Sequence, residues 1–340
     1  MKAVRLYGPR EFHIDEIPEP QAGPGEVKIA VRSVSVCASD VHYYLYGEIG
    51  SLKTAGPFIL GHEFSGEIAE IGPGVQGDLR IGQKVTAEPV RPCGSCDCCL
   101  RGDYHLCRRL LFFGTPPANG CLCEYVTCRA DFTFALPNSV SLDEGAMTEP
   151  LAVGVESAEI SGIRGGETCL VLGAGAIGLS ALQAVKAAGA GTVLVVEPIK
   201  ERRLLALALG AAKAFAPSEM DAVMQEFPGG ADVVIEAAGV PEAPQTAVEC
   251  ARPGGTVVLV GIPEEDRIAF KASTARRKAL TIRFVRRYKH KFPRALELVS
   301  HGLADVRSYA THFFPPEKTA DAFELTASRS RGVLRAVIRF

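Results

Sequence analysis

At 340 residues the chain has room for two domains and a core burying roughly three quarters of its unfolded surface. Its 37 basic and 39 acidic residues nearly cancel, which removes the electrostatic ground for nucleic acid or an anionic membrane as partner. No apolar run approaches the roughly 20 residues of a spanning helix, and MKAVRLYGPREF lacks a signal peptide's apolar core, so a soluble cytoplasmic protein is expected.

From Met1 to about Ser33, short strands alternate with Pro and Gly turns: KAVRL, then PEPQAGPGE, then a run from Val27 to Val36. That pattern predicts an antiparallel barrel or sandwich. Cys37-Ala38-Ser39-Asp40-Val41-His42-Tyr43 follows where the strand gives way to a helix, and Gly61-His62-Glu63 comes later. A thiol, an imidazole and a carboxylate near element ends can bind zinc and leave one position for water or substrate. Taken alone, Cys37 reads equally as a small buried hydrophobe and His62 as a satisfied core residue.

The next cluster is more specific. Cys93, Cys96, Cys99 and Cys107 stand in the spacing C-x2-C-x2-C-x7-C. Four thiolates on one short loop close a tetrahedron around zinc and leave no place for substrate, which marks a structural site. Cys98 is a fifth thiol that fits the spacing less well. With 11 cysteines and no secretion signal, metal binding is expected over a disulfide scaffold.

After a turn-rich loop, Phe112 to Tyr125, a helix is predicted to begin near Glu144-Gly145-Ala146-Met147-Thr148-Glu149. Glu149 alone reads as an ordinary carboxylate of a first helical turn. From about Gly166 the rhythm changes to strands at Cys169–Leu172, Thr192–Val196, Ala231–Glu236 and Thr256–Val260, separated by helical stretches. This is the pattern of a doubly wound parallel sheet. Gly173, Gly175 and Gly178, with Ala176 and Ile177 between them, form G-x-G-x-x-G directly after the first of these strands. Such glycines allow a tight turn, close approach of a pyrophosphate and close packing of helix on strand. Glu197 ends the second strand, where a carboxylate meets the ribose 2′-OH of NAD and repels the extra phosphate of NADP. Arg202 and Arg203 stand nearby on a predicted helix, and NAD is the expected cofactor. A last sheet strand, Leu280 to Val285, leads into the basic run Arg286 to Lys291, and Val333 to Phe340 reads as a strand returning to the first domain.

The stretches CASDVHYYLYGEIG, GHEFSGEIAEIGPGV, FFGTPPANGCLCEY and TEPLAVGVE, together with Arg287-Tyr288, occur in one order. On these residues the chain resembles, over essentially its full length, the zinc-dependent medium-chain dehydrogenases. Within them it is similar to the polyol branch of sorbitol, xylitol and L-iditol 2-dehydrogenases. The resemblance implies a fold of class α/β. A GroES-like β-rich catalytic domain over 1–155 and 290–340 would flank a Rossmann domain over 156–289.

The same resemblance implies that Cys37, His62 and Glu63 surround a catalytic zinc, with Glu149 bound directly or through the metal's water. An oxygen donor in place of a second thiolate leaves zinc a stronger Lewis acid. Ser39 and His42 occupy relay positions that carry the proton out, and Tyr43 and Arg287 lie near substrate, its water network and the cofactor. The implied reaction transfers hydride from a secondary hydroxyl of a sorbitol- or xylitol-like polyol to NAD, giving a ketose. A homotetramer or homodimer is implied as well. Alternatives are a dehydrogenase of another diol, of L-threonine or of a sugar phosphate, and a cofactor-binding redox sensor. Two departures bear on these: Glu156 stands where many relatives carry His, and the run Arg286 to Lys291 is unusually basic. A solvated loop is one reading of that run, and a cationic mouth for a phosphorylated or acidic sugar derivative is the other.

Overall fold

Strand Glu26–Ser35 carries Val27, Ile29 and Val31 at 0 % exposure, and the first part of the fold is built around it. In this computed structural model, which describes residues 1–263, 267–330 and 332–340, the strand pairs antiparallel with Glu63–Ile71, Tyr125–Arg129 and Arg335–Arg339. Its register against Glu63–Ile71 shifts between Lys28 and Ile29 and again between Val31 and Ser33. Such irregularities bend a strand and re-aim the side chains at its end. The seven-stranded sheet runs Thr133–Ala135, Lys84–Ala87, Glu63–Ile71, Glu26–Ser35, Arg335–Arg339, Ala310–Phe314, with Tyr125–Arg129 as an extra partner of Glu26–Ser35. It is not wholly antiparallel: Ala310–Phe314 and Arg335–Arg339 run parallel, joined by the helix Thr319–Ser328.

The strands of the second unit are apolar along their length because helices cover both faces of a parallel sheet. Leu170, Val171, Val234, Ile235, Val257 and Val258 are all at 0 % exposure. The order is Lys213–Phe215, Thr192–Val196, Thr168–Leu172, Ala231–Glu236, Ala251–Leu259, Thr281–Phe284, every pair parallel. Counted from Thr168–Leu172 this is the doubly wound order 3-2-1-4-5-6.

Contacts divide the chain into two units, Met1–Glu149 with Val306–Phe340, and Pro150–Asp305. The return therefore falls after residue 305 and not at 290. Lys291 is held by Glu159 at 2.6 Å, Phe292 is fully buried, and Gln183 and Asp305 exchange hydrogen bonds of 3.2 and 2.7 Å, so the segment stays with the parallel sheet. The helix predicted near Glu144 is two helices, Leu142–Ala146 and Thr148–Ser161. Ser141 and Glu144 form a capping box on the first, which fixes its start. The helix after the glycine turn, Ala176–Ala187, begins directly at the motif, with Gly175 as its cap. Among the described residues no helix is long and apolar enough to cross a membrane.

Candidate active site

Cys37 caps the helix Ala38–Tyr46 with extended backbone, φ −80° and ψ 154°, while His62 immediately precedes and Glu63 opens the central strand Glu63–Ile71. The two elements are stitched by Asp40, whose buried carboxylate accepts N–H bonds from Cys37 at 3.2 Å and Gly61 at 3.1 Å. The result brings the ligand atoms of Cys37, His62 and Glu63 within 4.8 Å of one another. His62 Nδ1 lies 3.4 Å from Asp40 Oδ1 and makes no hydrogen bond, although the residue is only 6 % exposed. Burial by itself would lower that imidazole, but the Asp40 carboxylate and the Cys37 sulfur raise it well above its ordinary value. A thiol, a carboxylate and a buried imidazole with an unpartnered nitrogen in an electronegative pocket fit a zinc ion by the chemistry of the donor set.

Glu63 is more constrained than its place in the motif indicates. Its Oε1 accepts from Arg335 at 2.8 Å and its Oε2 from Ser35 at 2.5 Å, all three residues being buried. Arg335 also donates to the Val36 carbonyl at 3.2 Å and reaches to 4.0 Å from Cys37 Sγ. Burial disfavours the guanidinium's charge, and Glu63, Cys37, Glu149 and Asp40 outweigh that, so it stays cationic. Glu149, 5 % exposed in the first turn of Thr148–Ser161, is not among the three converging donors. It lies within electrostatic reach of Arg335.

Ser39, His42 and Tyr43 share the helix Ala38–Tyr46, at spacings that place them on neighbouring turns. His42 Nδ1 is 2.8 Å from the Glu48 carbonyl. A carbonyl only accepts, so Nδ1 carries the proton and Nε2 of the neutral ring is the acceptor. Tyr43 is 2 % exposed.

The thiols Cys93, Cys96, Cys99 and Cys107 converge within 4.8 Å, and Cys98 is not part of that tetrad. The Ser95 N–H, helped by the Cys96 N–H and Arg109, holds the Cys93 thiol down at about 5, while burial pushes Cys99 up to about 12. Donors already aimed at sulfur fit a thiolate–zinc site. This lobe has its own small core of Val90, Tyr104 and Phe112. Phe112 lies 5.1 Å from the His62 ring, and Tyr104 donates its hydroxyl to buried Glu88 at 2.9 Å. The reading of the sequence gave no role to Asp40 or Tyr104, which lie inside the quoted motifs but whose partners no spacing marks, and it missed Arg335, Ser35 and Glu88, which reach their partners from other parts of the chain.

In the second unit Gly173 takes φ 95°, and a Cβ on Gly178 would sit 1.9 Å from the Gly173 carbonyl oxygen, so both positions require glycine. A Cβ on Gly175 would meet nothing within 4 Å, which leaves the backbone at the helix start open to a close ligand. Ala176 and Ile177 supply the first turn of that helix. Unpaired N–H groups and the dipole there fit a pyrophosphate. Glu197, 4 % exposed, accepts from Ala174 N at 2.7 Å and Ile199 N at 3.0 Å. Arg203 donates to the Glu197 and Pro198 carbonyls, both at 2.7 Å, which ties its guanidinium to the end of the strand. Arg202 is half-buried on the helix Lys200–Ala208.

Arg287 and His290 have left-handed backbone, φ 56° and 54°, in the loop after Thr281–Phe284. The loop is not simply solvated. Tyr288 is 1 % exposed, and Lys291, 8 % exposed, pairs with Glu159 at 2.6 Å and Glu156 at 3.6 Å. Glu156 thus has a cationic neighbour of its own, and one charge of the basic run is spent inside the fold.

Residues 23–138 match the alcohol dehydrogenase GroES-like domain, and residues 176–301 match the zinc-binding dehydrogenase domain. The chain is 35% identical over 342 residues to the sorbitol dehydrogenase of Bacillus subtilis strain 168, covering 99% of this chain and 97% of that one. The crystal structure of ECK1772 from Escherichia coli, an oxidoreductase/dehydrogenase of unknown specificity involved in membrane biogenesis, superposes with a TM-score of 0.94. It is 32% identical, with 99% of this chain and 98% of that chain covered. The short chain alcohol dehydrogenase of Escherichia coli CFT073 complexed with NADH gives a TM-score of 0.91 at 29% identity, covering 100% and 99%. A GroES-like unit carrying a Cys-His-Glu cluster and a thiol lobe, followed by a parallel-sheet unit with a glycine turn, defines a class. The chain belongs to the zinc-binding medium-chain dehydrogenases, in the branch of the sorbitol dehydrogenases.

Proposed function

We propose that the chain is a zinc- and NAD-dependent polyol dehydrogenase that oxidises a secondary hydroxyl to a ketone. The observation that carries this is the convergence of the ligand atoms of Cys37, His62 and Glu63 within 4.8 Å of one another, with no second thiol in that group among the described residues. Cys37 and His62 would hold the catalytic metal, Glu63 or Glu149 would supply its oxygen donor, and Cys93, Cys96, Cys99 and Cys107 would hold the structural one. When bound, zinc acts as a Lewis acid that lowers the pKa of an alcohol, and the nicotinamide ring accepts hydride.

The chain's own residues do the rest. Arg335 and Ser35 fix both oxygens of Glu63, so its position is set before substrate arrives. Ser39 passes the hydroxyl proton toward His42, whose Nε2 receives it because Nδ1 is already committed to Glu48. Tyr43 and Arg287 would orient the polyol and its waters. The turn Gly173 to Gly178 would seat the pyrophosphate, Glu197 would accept from the ribose hydroxyl, and Arg202 would lie beside the adenosine ribose. With Arg203 tied to backbone carbonyls, a 2′-phosphate has one guanidinium fewer to meet, which favours NAD over NADP.

A homodimer or homotetramer is part of the same reading. Among the described residues, strand Thr281–Phe284 ends the parallel sheet with one edge unpaired, and Phe284 on it is 64 % exposed.

Absorbance at 340 nm tests the function. Purified protein with NAD should reduce it in the presence of sorbitol or xylitol, should do so poorly with L-threonine or with NADP, and should stop with a chelator. No NADH from any alcohol revives the redox-sensor alternative, and a preference for NADP removes the role given to Glu197.

A further inference from the structure

Glu236 closes the strand Ala231–Glu236, the neighbour of Thr168–Leu172 in the parallel sheet. These two strands flank the place where the doubly wound order reverses and where ligands of such sheets bind. The Glu236 side chain is 1 % exposed, yet among the described residues it is paired with no cation. Its Oε1 accepts from the backbone N–H groups of Ala238 and Gly239, both at 2.8 Å, and its carbonyl accepts from Val260 at 2.8 Å and Gly261 at 3.0 Å. One residue thereby holds the chain segment Ala237 to Gly239 against the end of the next strand.

That segment is the wall of the glycine turn. Ala237 N donates to the Leu172 carbonyl at 2.8 Å, and a Cβ placed on Gly173 would lie 2.9 Å from Ala237 O, Ala238 N and Ala238 Cα. On the opposite side Gly173 N donates to the Val196 carbonyl at 2.8 Å, and Ala174 N donates to Glu197 Oε2 at 2.7 Å. The turn is gripped directly by one buried carboxylate and braced by a loop that the other one shapes. A shift of the Ala237–Ala238 backbone by a fraction of an ångström has nowhere to go except into Gly173.

We propose that Glu236 is a positioning residue for dinucleotide binding, setting the glycine turn through the Ala237–Gly239 loop. The proposal rests on the dinucleotide reading above. A carboxylate buried by that wall costs desolvation energy, and burial does push its carboxyl above the ordinary value against the opposing backbone N–H bonds.

Fluorescence titration with NADH, and calorimetry with ADP-ribose, test this without any alcohol present. Glu236→Gln keeps an acceptor oxygen for both N–H groups and should bind NADH within about threefold of wild type. Glu236→Ala should bind both ligands about tenfold more weakly, the loss of two backbone hydrogen bonds. Its kcat at saturating NAD and its KM for xylitol should stay near wild type, so the defect appears in KM for NAD. Glu236→Asp, one methylene short, serves if the alanine variant does not fold, and should also weaken NADH. Alanine or aspartate variants that bind NADH like wild type overturn the proposal, as does a glutamine variant no better than alanine. Wild-type protein that binds neither ligand overturns the dinucleotide reading and this proposal with it, whereas equal binding by wild type and variant overturns this one alone.

Discussion

At the scale of single residues, His42 bears on the proposed proton relay and Glu88 on how the stability of the fold depends on pH. His42 has its Nδ1 committed to the Glu48 carbonyl, so only Nε2 can take a proton. His42→Ala should lower turnover near neutral pH by on the order of 10²-fold and change the pH–rate profile. An unchanged profile removes His42 from the relay. Glu88 lies 2 % exposed under the thiol lobe. Burial, reinforced by the Glu149 carboxylate and opposed by the Tyr104 hydroxyl, raises it from 4.5 to about 8. An acid whose folded pKa is raised stabilises the fold fully below its unfolded pKa, and that contribution is lost as pH rises through the folded value. Its stabilisation should therefore fade between 4.5 and about 8. Glu88→Gln has no charge to bury, so its stability in urea should fall less between about pH 5 and pH 9, by on the order of a few kcal/mol. Equal pH dependence in both proteins would mean that Glu88 ionises in place at no cost.

At the scale of elements, the thiol lobe is more than a detached loop. Its small core of Val90, Tyr104 and Phe112 puts one ring against His62 and one hydroxyl on Glu88. Wild-type protein should contain two zinc ions per chain by elemental analysis, and Cys99→Ser should contain one, with a lower Tm. Because Phe112 packs on His62, that variant should also lose part of its turnover although no catalytic donor has been touched. Active, fully folded wild type with one metal per chain would leave the four thiols as reduced bystanders.

At the scale of the whole molecule, the chain leaves its first unit immediately after Glu149 and returns at Val306. The unit with the glycine turn is thus inserted between two pieces of the unit that carries the Cys37, His62 and Glu63 cluster, and Arg335 belongs to the returning piece. Arg335→Leu would leave Glu63 buried without its cation, a loss of about 3–5 kcal/mol read in urea unfolding. The open edge at Thr281–Phe284 predicts association. Light scattering should give the mass of a dimer or tetramer, and Phe284→Lys, placing a charge on that edge, should shift the protein toward monomer. A wild-type monomer would remove the edge from the assembly.

The amino-acid order alone determined what short-range physics controls. Thiol spacing on one loop, glycines at a strand-to-helix turn, and apolar runs long enough for buried strands are local, so the grouping of Cys93, Cys96, Cys99 and Cys107, the turn Gly173 to Gly178 and the place of Glu197 directly after a strand were legible. The strands Thr192–Val196 and Ala231–Glu236 were found to the residue. Tertiary structure alone decided which distant groups meet. Arg335 is 272 residues from Glu63, and Ser35 is 28 from it, yet together they take both of its oxygens. Lys291 finds Glu156 and Glu159 and so becomes a buried ion-pair partner where the sequence reads as a solvated run. Such pairings have no signature in spacing, because they exist only after elements far apart in the chain have packed together and excluded the water that each group would otherwise bind.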